Sequence, residues 1–380
     1  AIWGAVPGLF LARDPLGIKP LYYGRDPDGN LLFASEMKAL VPEVAEVSEL
    51  PPGSYWQLGR APVTYYQVPE PVSGVTDETA AVTVVNHLLT EAVRKRLMAD
   101  VPLGLFLSGG LDSSLIAAIA VKLSPGRFHS FCVGLADSAD VQNARTVARF
   151  LGTEHHELVL SPDEIIGAVP KIIPLLESCD PALVRSAIPT YFVSELAARY
   201  VKVALSGEGA DELFAGYHYL REFDAQALGG ELRRTTAELH NLNLQRVDRM
   251  TMAHGLEGRV PFLDLALVDA AFRLAPELKW QAGQGKWVLR RLAERYLPPE
   301  IAWRNKEKFA IGTGIGPLLE RHAETLFAPG AVPRGWTPEA WWYWTVFREH
   351  YNRSDVVNGM GRSRSLNPGQ RWLAGLATAD

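Results

Sequence analysis

Ser108-Gly109-Gly110-Leu111-Asp112-Ser113-Ser114 concentrates hydroxyls, glycines and one carboxylate at a single turn. Leu103, Leu105, Phe106 and Leu107 read as a buried strand ahead of it, and residues 115–122 as an apolar helix behind it. Glycines between a strand and a helix let backbone N–H groups come close to an anion, and the helix N-terminus adds partial positive charge. Two serine hydroxyls can donate to phosphate oxygens, and Asp112 can hold a magnesium ion riding on them. The Gly-Lys-Ser/Thr ending of the P-loop is missing. The plain alternative is a Gly/Ser-rich turn that only starts a helix.

Three further stretches carry chemistry. Ser206-Gly207-Glu208-Gly209-Ala210-Asp211-Glu212 crowds three carboxylates just after an apolar strand. Such a cluster repels itself unless a divalent cation or a positive partner sits beside it. Acids opening a helix are the competing reading. Residues 246–264 mix Asp248, Arg249, Glu257, Arg259 and Asp264 with apolar residues, a pattern that suggests a partly buried ion-pair network. Trp303-Arg304-Asn305-Lys306-Glu307-Lys308-Phe309 precedes Gly312-Thr313-Gly314, where a lysine on a loop could neutralise phosphate. Arg185-Ser186, at a helix entry, could hold the free carboxylates of an amino acid, whereas His155-His156-Glu157 in a strand reads as structural.

Residues 1–70 show β character, with strand candidates at 9–12, 21–23, 31–34, 54–58 and 63–66. Asp14-Pro15-Leu16-Gly17, Asp26-Pro27-Asp28-Gly29 and Pro51-Pro52-Gly53 separate them as turns. Five short strands cannot bury two sheet faces, so the segment reads as the tail of a larger β domain. A linker with Pro69 and Pro71 ends near Asp77, and a helix follows in which Leu88, Leu89, Ala92, Val93 and Leu97 recur at helical spacing. Beyond the Ser/Gly turn, strands at 128–133, 155–160 and 201–205 alternate with helices at 141–151, 163–178 and 187–200. That alternation predicts an α/β fold with a parallel sheet, in which ligands bind at the carboxyl ends of the strands. Residues 210–330 read as mostly helical, the Trp336–Phe347 region as an amphipathic packing helix, and Arg362, Arg364 and Arg371 as part of a loosely ordered tail. Across 380 residues the formal net charge is −5, which gives no electrostatic reason to expect nucleic acid. Two cysteines, Cys132 and Cys179, read as packed thiols, no zinc-type Cys/His spacing stands out, and no apolar run is long enough to span a membrane.

The Ser/Gly turn resembles the pyrophosphate loop of enzymes that split ATP between its α and β phosphates. Taken with Leu205-Ser-Gly-Glu-Gly-Ala-Asp-Glu212, Glu257-Gly-Arg-Val-Pro-Phe-Leu-Asp264 and Arg304-Asn-Lys-Glu-Lys-Phe309, it resembles the glutamine-hydrolysing asparagine synthetase family over residues 80–325. Residues 12–23 and 33–40 resemble the later part of that family's amidotransferase domain. The resemblance implies a pyrophosphate-loop synthetase domain with a helical C-terminal part over 80–380, preceded over 1–75 by the tail of an antiparallel β amidotransferase domain. The nucleophilic cysteine of that domain is not found, so glutamine hydrolysis is expected to have no nucleophile on these residues. The resemblance implies adenylation of a carboxylate by ATP and magnesium, most simply the aspartate side chain, then attack of ammonia, normally from glutamine, in asparagine biosynthesis. The alternative is a related amidotransferase or lactam-forming cyclase acting on another carboxylate.

Carried over residue by residue, Ser108, Gly109, Gly110, Asp112, Ser113 and Ser114 would hold pyrophosphate. Phe106, Val133, Ser206 and Gly207 would line the adenosine pocket, the family usually having leucine where Phe106 stands. Asp112 and Asp211 would share magnesium, Glu208 would lie beside the reacting acyl group, and Lys306 would stabilise charge during adenylation. The expected setting is cytoplasmic, with small-molecule substrates, no nucleic acid and no membrane; a homodimer is among the assemblies the resemblance allows.

Overall fold

Turn residues cut the first part of the chain into short antiparallel strands. The computed structural model describes residues 1–4, 8–72, 74–124, 126–304 and 313–360. Ile2–Gly4, Gly8–Ala12, Ser54–Gln57 and Val63–Thr64 form one sheet in that order. Leu31–Ala34, Tyr22–Arg25 and Ser48–Glu49 form a second. Asp14 shapes the first turn: its carboxylate accepts from the backbone N–H of Leu16, Ile18 and Lys19 at 3.2, 2.9 and 2.9 Å. Among the described residues seven strands therefore stand, with the apolar start of the chain in strand conformation as its composition suggests; Ser48–Glu49 is too short to show alternation.

The linker is pinned rather than loose, since Val72 N–H donates to Phe272 O at 2.9 Å and Val75 bridges Leu274. Asp77 then caps helix α1, Glu78–Leu97, accepting from Ala80 N–H. Strand β1 (Leu103–Phe106) leads through α2 (Leu111–Leu123) to β2 (His129–Gly134). Helix α3 (Ala139–Leu151) follows, then β3 (Glu154–Val159), α4 (Pro162–Leu176), α5 (Pro181–Ala198) and β4 (Val203–Leu205). A Ser161–Glu164 capping box starts α4, and Asp180 with Pro181 starts α5. A fifth strand, β5 (Glu257–Arg259), pairs with β4, so the largely helical region after residue 210 adds one sheet member.

All four pairings are parallel, and the spatial order is β3-β2-β1-β4-β5. The chain leaves β1 toward β2 on one side and the later strands build on the other, so strand order reverses between β1 and β4. In such sheets ligands bind outside the carboxyl ends at that reversal. Helix α2 is buried almost throughout, as the apolar run 115–120 requires. Late in the chain, Pro338–His350 forms the expected packing helix: Tyr343, Trp344 and Phe347 are buried and the helix lies against α4 and α5.

Candidate active site

The loops after β1 and β4 meet at the reversal point. Gly109 takes φ +69°, and a Cβ there would lie 2.4 Å from the backbone of Asn143, so only glycine lets the loop lie against α3. Ser108 and Ser113 hydroxyls are 3.1 Å apart, and Gly110 N–H donates to Ser108 Oγ at 3.3 Å, closing the loop on itself. Gly110 caps α2 without a side chain, leaving its first N–H groups for an incoming anion. Across the gap, a Cβ on Gly207 would sit 3.0 Å from that of Asp112, so the β4 loop approaches as closely as its backbone permits.

Both loops open into a cavity of about 480 Å³. Ser108, Gly110, Asp112 and Ser113 line it with Phe106 and Val133; Ser206, Gly207, Glu208 and Asp211 line it from the other loop. Gly109 and Ser114 stand behind the wall. Ser114 is fully buried, with no hydrogen-bond partner for its hydroxyl. Lys306 lies outside the described residues. Its neighbour Arg304 lines the cavity and donates from Nη1 to Gly109 O at 2.9 Å.

Asp112 and Asp211 do come together, and the charge between them is a lysine that motif reading missed. Lys286 Nζ lies 2.5 Å from Asp112 Oδ2 and 2.5 Å from Asp211 Oδ1, on a side chain only 3% exposed. Burial works against its charge, but Asp112 and Asp211 outweigh burial and hold its pKa above the ordinary lysine range. Gly216 makes the room: a Cβ there would fall 2.2 Å from Lys286 Cε. The only local signal is a polar Gln284-Gly285-Lys286 ahead of an apolar helix, Trp287–Ala293.

Glu208 accepts from the Arg246 guanidinium, which is itself buried and whose Nε has no hydrogen-bond partner. An orphan buried donor beside a cavity is a polar group for which the described residues supply no partner. Arg185 is less available than expected. It lies within α5 and is held by Glu339 and, at 2.5 Å, by Glu320, while Ser186 donates back to the carbonyl of Ala182. Glu212 accepts from Tyr217 and from Asn243, and burial together with the Asp211 charge pushes its pKa up to about 7. The stretch after Arg246 forms the expected ion pairs: Asp248 with Lys19 at 2.7 Å, Arg249 with Glu177 at 2.6 Å, and Asp264 with Lys95 and Arg96.

A family model described as asparagine synthase matches residues 84–228 and 223–367, and one described as a glutamine amidotransferase domain matches residues 1–67. The chain is 40% identical to asparagine synthetase B (glutamine-hydrolysing) of Escherichia coli strain K12, a match covering 80% of this chain and 58% of that protein. It is 38% identical to a probable asparagine synthetase of Dictyostelium discoideum, covering 95% and 71% respectively. Against asparagine synthetase 3 of Arabidopsis thaliana the identity is 36%, with 90% and 65% covered. The chain thus spans between 58% and 71% of the length of these curated relatives. Matches this extensive, over both parts of the sequence, show that the chain belongs to the asparagine synthase family.

Proposed function

We propose that this protein is an ATP-dependent amide-forming ligase that adenylates the side-chain carboxylate of aspartate and passes the acyl group to ammonia, giving asparagine. Residues 1–75 are then the later part of a glutamine amidotransferase domain, residues 80–380 the synthetase part, and glutamine the ordinary nitrogen source. The observation that carries the reading is the convergence, at one switch point, of a Ser/Gly loop, two carboxylates with a buried lysine between them, and a Glu208–Arg246 pair facing the same cavity.

In the first step an oxygen of the substrate carboxylate bonds to the α-phosphorus of ATP, and the bond from that phosphorus to the bridging oxygen breaks, releasing pyrophosphate. Backbone N–H groups in the first turn of α2 and the hydroxyls of Ser108 and Ser113 would cradle the departing phosphates, with Gly109 and Gly110 setting the loop's shape and Ser114 supporting it from behind. Phe106, Val133, Ser206 and Gly207 would hold the adenosine. Lys286 supplies fixed positive charge where negative charge accumulates, a contribution that grows in a water-poor site. Lys306 is a second candidate for that role.

The donor set suits magnesium as well, because Asp112 and Asp211 are hard oxygen ligands and Asp112 Oδ1 is buried without a hydrogen-bond partner. Bound there, the ion would neutralise phosphate charge. Arg246 offers its unpartnered Nε to the α-carboxylate of the amino acid. In the second step ammonia attacks the acyl carbon, AMP leaves, and Glu208 takes the proton that the new amide nitrogen loses.

Among the described residues no helix is long and apolar enough to cross a membrane. A cytoplasmic setting and a homodimer are part of the same proposal.

Pyrophosphate release with ATP, magnesium, aspartate and either ammonia or glutamine tests the assignment. Glu208→Ala should retain ATP binding and lose amide product; amide formation at the wild-type rate by that variant overturns the role. Turnover with another carboxylate and none with aspartate would replace the substrate by that of a related cyclase.

A further inference from the structure

The opposite end of the sheet, where β2 and β3 begin, gathers side chains that the reaction above does not use. Parallel register sets Glu154 beside His129 and His156 beside Phe131. Side chains alternate along a strand, so His129, Phe131, Glu154 and His156 share one face of the two outer strands. His129 Nδ1 is 2.9 Å from His156 Nε2. Glu154 Oε1 lies 3.8 Å from the first nitrogen and 3.7 Å from the second.

A hydrogen bond between two imidazoles explains the shortest of these distances. It does not explain a carboxylate oxygen almost equally far from both ring nitrogens. The circle through three points at those separations has a radius of about 2.0 Å, the length of a zinc–nitrogen or zinc–carboxylate bond. A single ion at the centre of that circle lies at bonding distance from all three atoms. The ring centroids are 5.1 Å apart, so the two nitrogens face each other, and side-chain torsion must turn them toward the ion. Tyr200 stacks on His156 with ring centroids 3.9 Å apart, and Phe131 flanks the same ring at 5.3 Å, so packing fixes the plane of His156. Side-chain exposures of 27% for His129, 15% for His156 and 47% for Glu154 leave one side open for a water.

We propose that His129, His156 and Glu154 form a binding site for zinc or a similar late first-row divalent ion, which staples the starts of the two outer strands. Two imidazoles and one carboxylate suit such an ion and do not suit magnesium, which prefers oxygen alone. Motif spacing does not reveal the site because its ligands are joined by sheet register, across the whole of α3, rather than by a short loop.

The test uses the full chain, stripped with EDTA and dialysed, then titrated with zinc chloride by calorimetry in excess magnesium. Cobalt absorption in the visible range reports the same site independently. Wild type should bind one zinc per chain and melt at higher temperature when loaded. His156→Ala should lose that zinc and the thermal shift. Glu154→Gln, at a nearly half-exposed position that tolerates substitution, should bind it more than about 100-fold more weakly, since even outer-shell changes cost roughly 10- to 100-fold. The proposal is overturned if stripped wild type takes up no zinc, or if Glu154→Gln binds it with unchanged affinity and stoichiometry.

Discussion

Replacing Lys286 by methionine tests the central electrostatic claim about the cavity. The lysine stem is kept in length, while the ammonium that sits 2.5 Å from both Asp112 and Asp211 disappears. Breaking a buried ion pair by removing one partner costs about 3–5 kcal/mol. The aspartate side chains are 21% and 23% exposed, so water recovers part of that and the lower end, about 3 kcal/mol, is expected. With an unfolding entropy of roughly 2.1 cal/mol/K per residue, a chain of this length should then melt about 4 °C lower. Magnesium should raise the melting temperature of the variant more than that of wild type, since the carboxylates are released to bind it. If the ammonium also offsets charge on the reacting phosphates, pyrophosphate release should fall by about 10²–10³-fold. Arginine should not restore function, because Gly216 already closes on the lysine stem. An unaltered melting temperature together with turnover within an order of magnitude of wild type would refute the argument.

Other consequences can be checked in the same preparations. Glu212 has a folded-state pKa of about 7 against an ordinary 4.5, raised by burial and then by Asp211, so its contribution to stability is complete below about 4.5 and is lost as pH rises through 7. Glu212→Gln should therefore gain on wild type between pH 5 and 8, by on the order of 3 kcal/mol at the upper end, and parallel melting curves would contradict it. Gly109→Ala forces a Cβ into the Asn143 backbone from a left-handed conformation. It should cost about 1–3 kcal/mol and, through the displaced loop, weaken ATP binding measured by calorimetry. Arg249→Met strands the fully buried Glu177 and should destabilise by about 3–5 kcal/mol in chemical denaturation.

Much of this site was legible in the sequence because its parts are contiguous. The Ser108–Ser114 turn and the Glu208–Glu212 acids each occupy one loop, and each loop follows an apolar strand whose position periodicity reveals. The alternation of strands and helices gave the parallel sheet for the same reason: buried strands must be apolar. What escaped is what the fold assembles from afar. Lys286 reaches Asp112 across 174 residues with no local signature, whereas Lys306, which its motif marks, lies outside the described residues. Strand β5 escaped because Glu257-Gly258-Arg259 is charged and pairs on one side only, so no apolar run marks it. Arg246 only opened the 246–264 stretch and was not among the charged residues singled out there, because an orphan Nε is a property of packing rather than of residue order.

The boundary between the two family segments is also not a physical boundary. Domain limits fall where few contacts cross, yet Tyr22, Met37, Leu40, Val44 and Val47 share one buried cluster with α4, α5 and the Pro338–His350 helix. Polar contacts repeat the pattern. Lys38 N–H donates to Glu177 at 2.7 Å, Val47 N–H to Asp355 at 2.8 Å, and Arg353 reaches the carbonyls of Val41 and Val44 at 2.7 and 2.8 Å. The helix Asn243–Met252 carries the connection inward: Asp248 and Arg249 hold Lys19, Glu177 and the ring of Tyr22, while Arg246, less than one turn earlier, holds Glu208 at the cavity. Residues before 75 therefore fix one wall of the cavity through a single rigid helix. Removing them would uncover an apolar face of the synthetase part and take Lys19 from Asp248 and the Tyr22 ring from Arg249, both on the helix that carries Arg246.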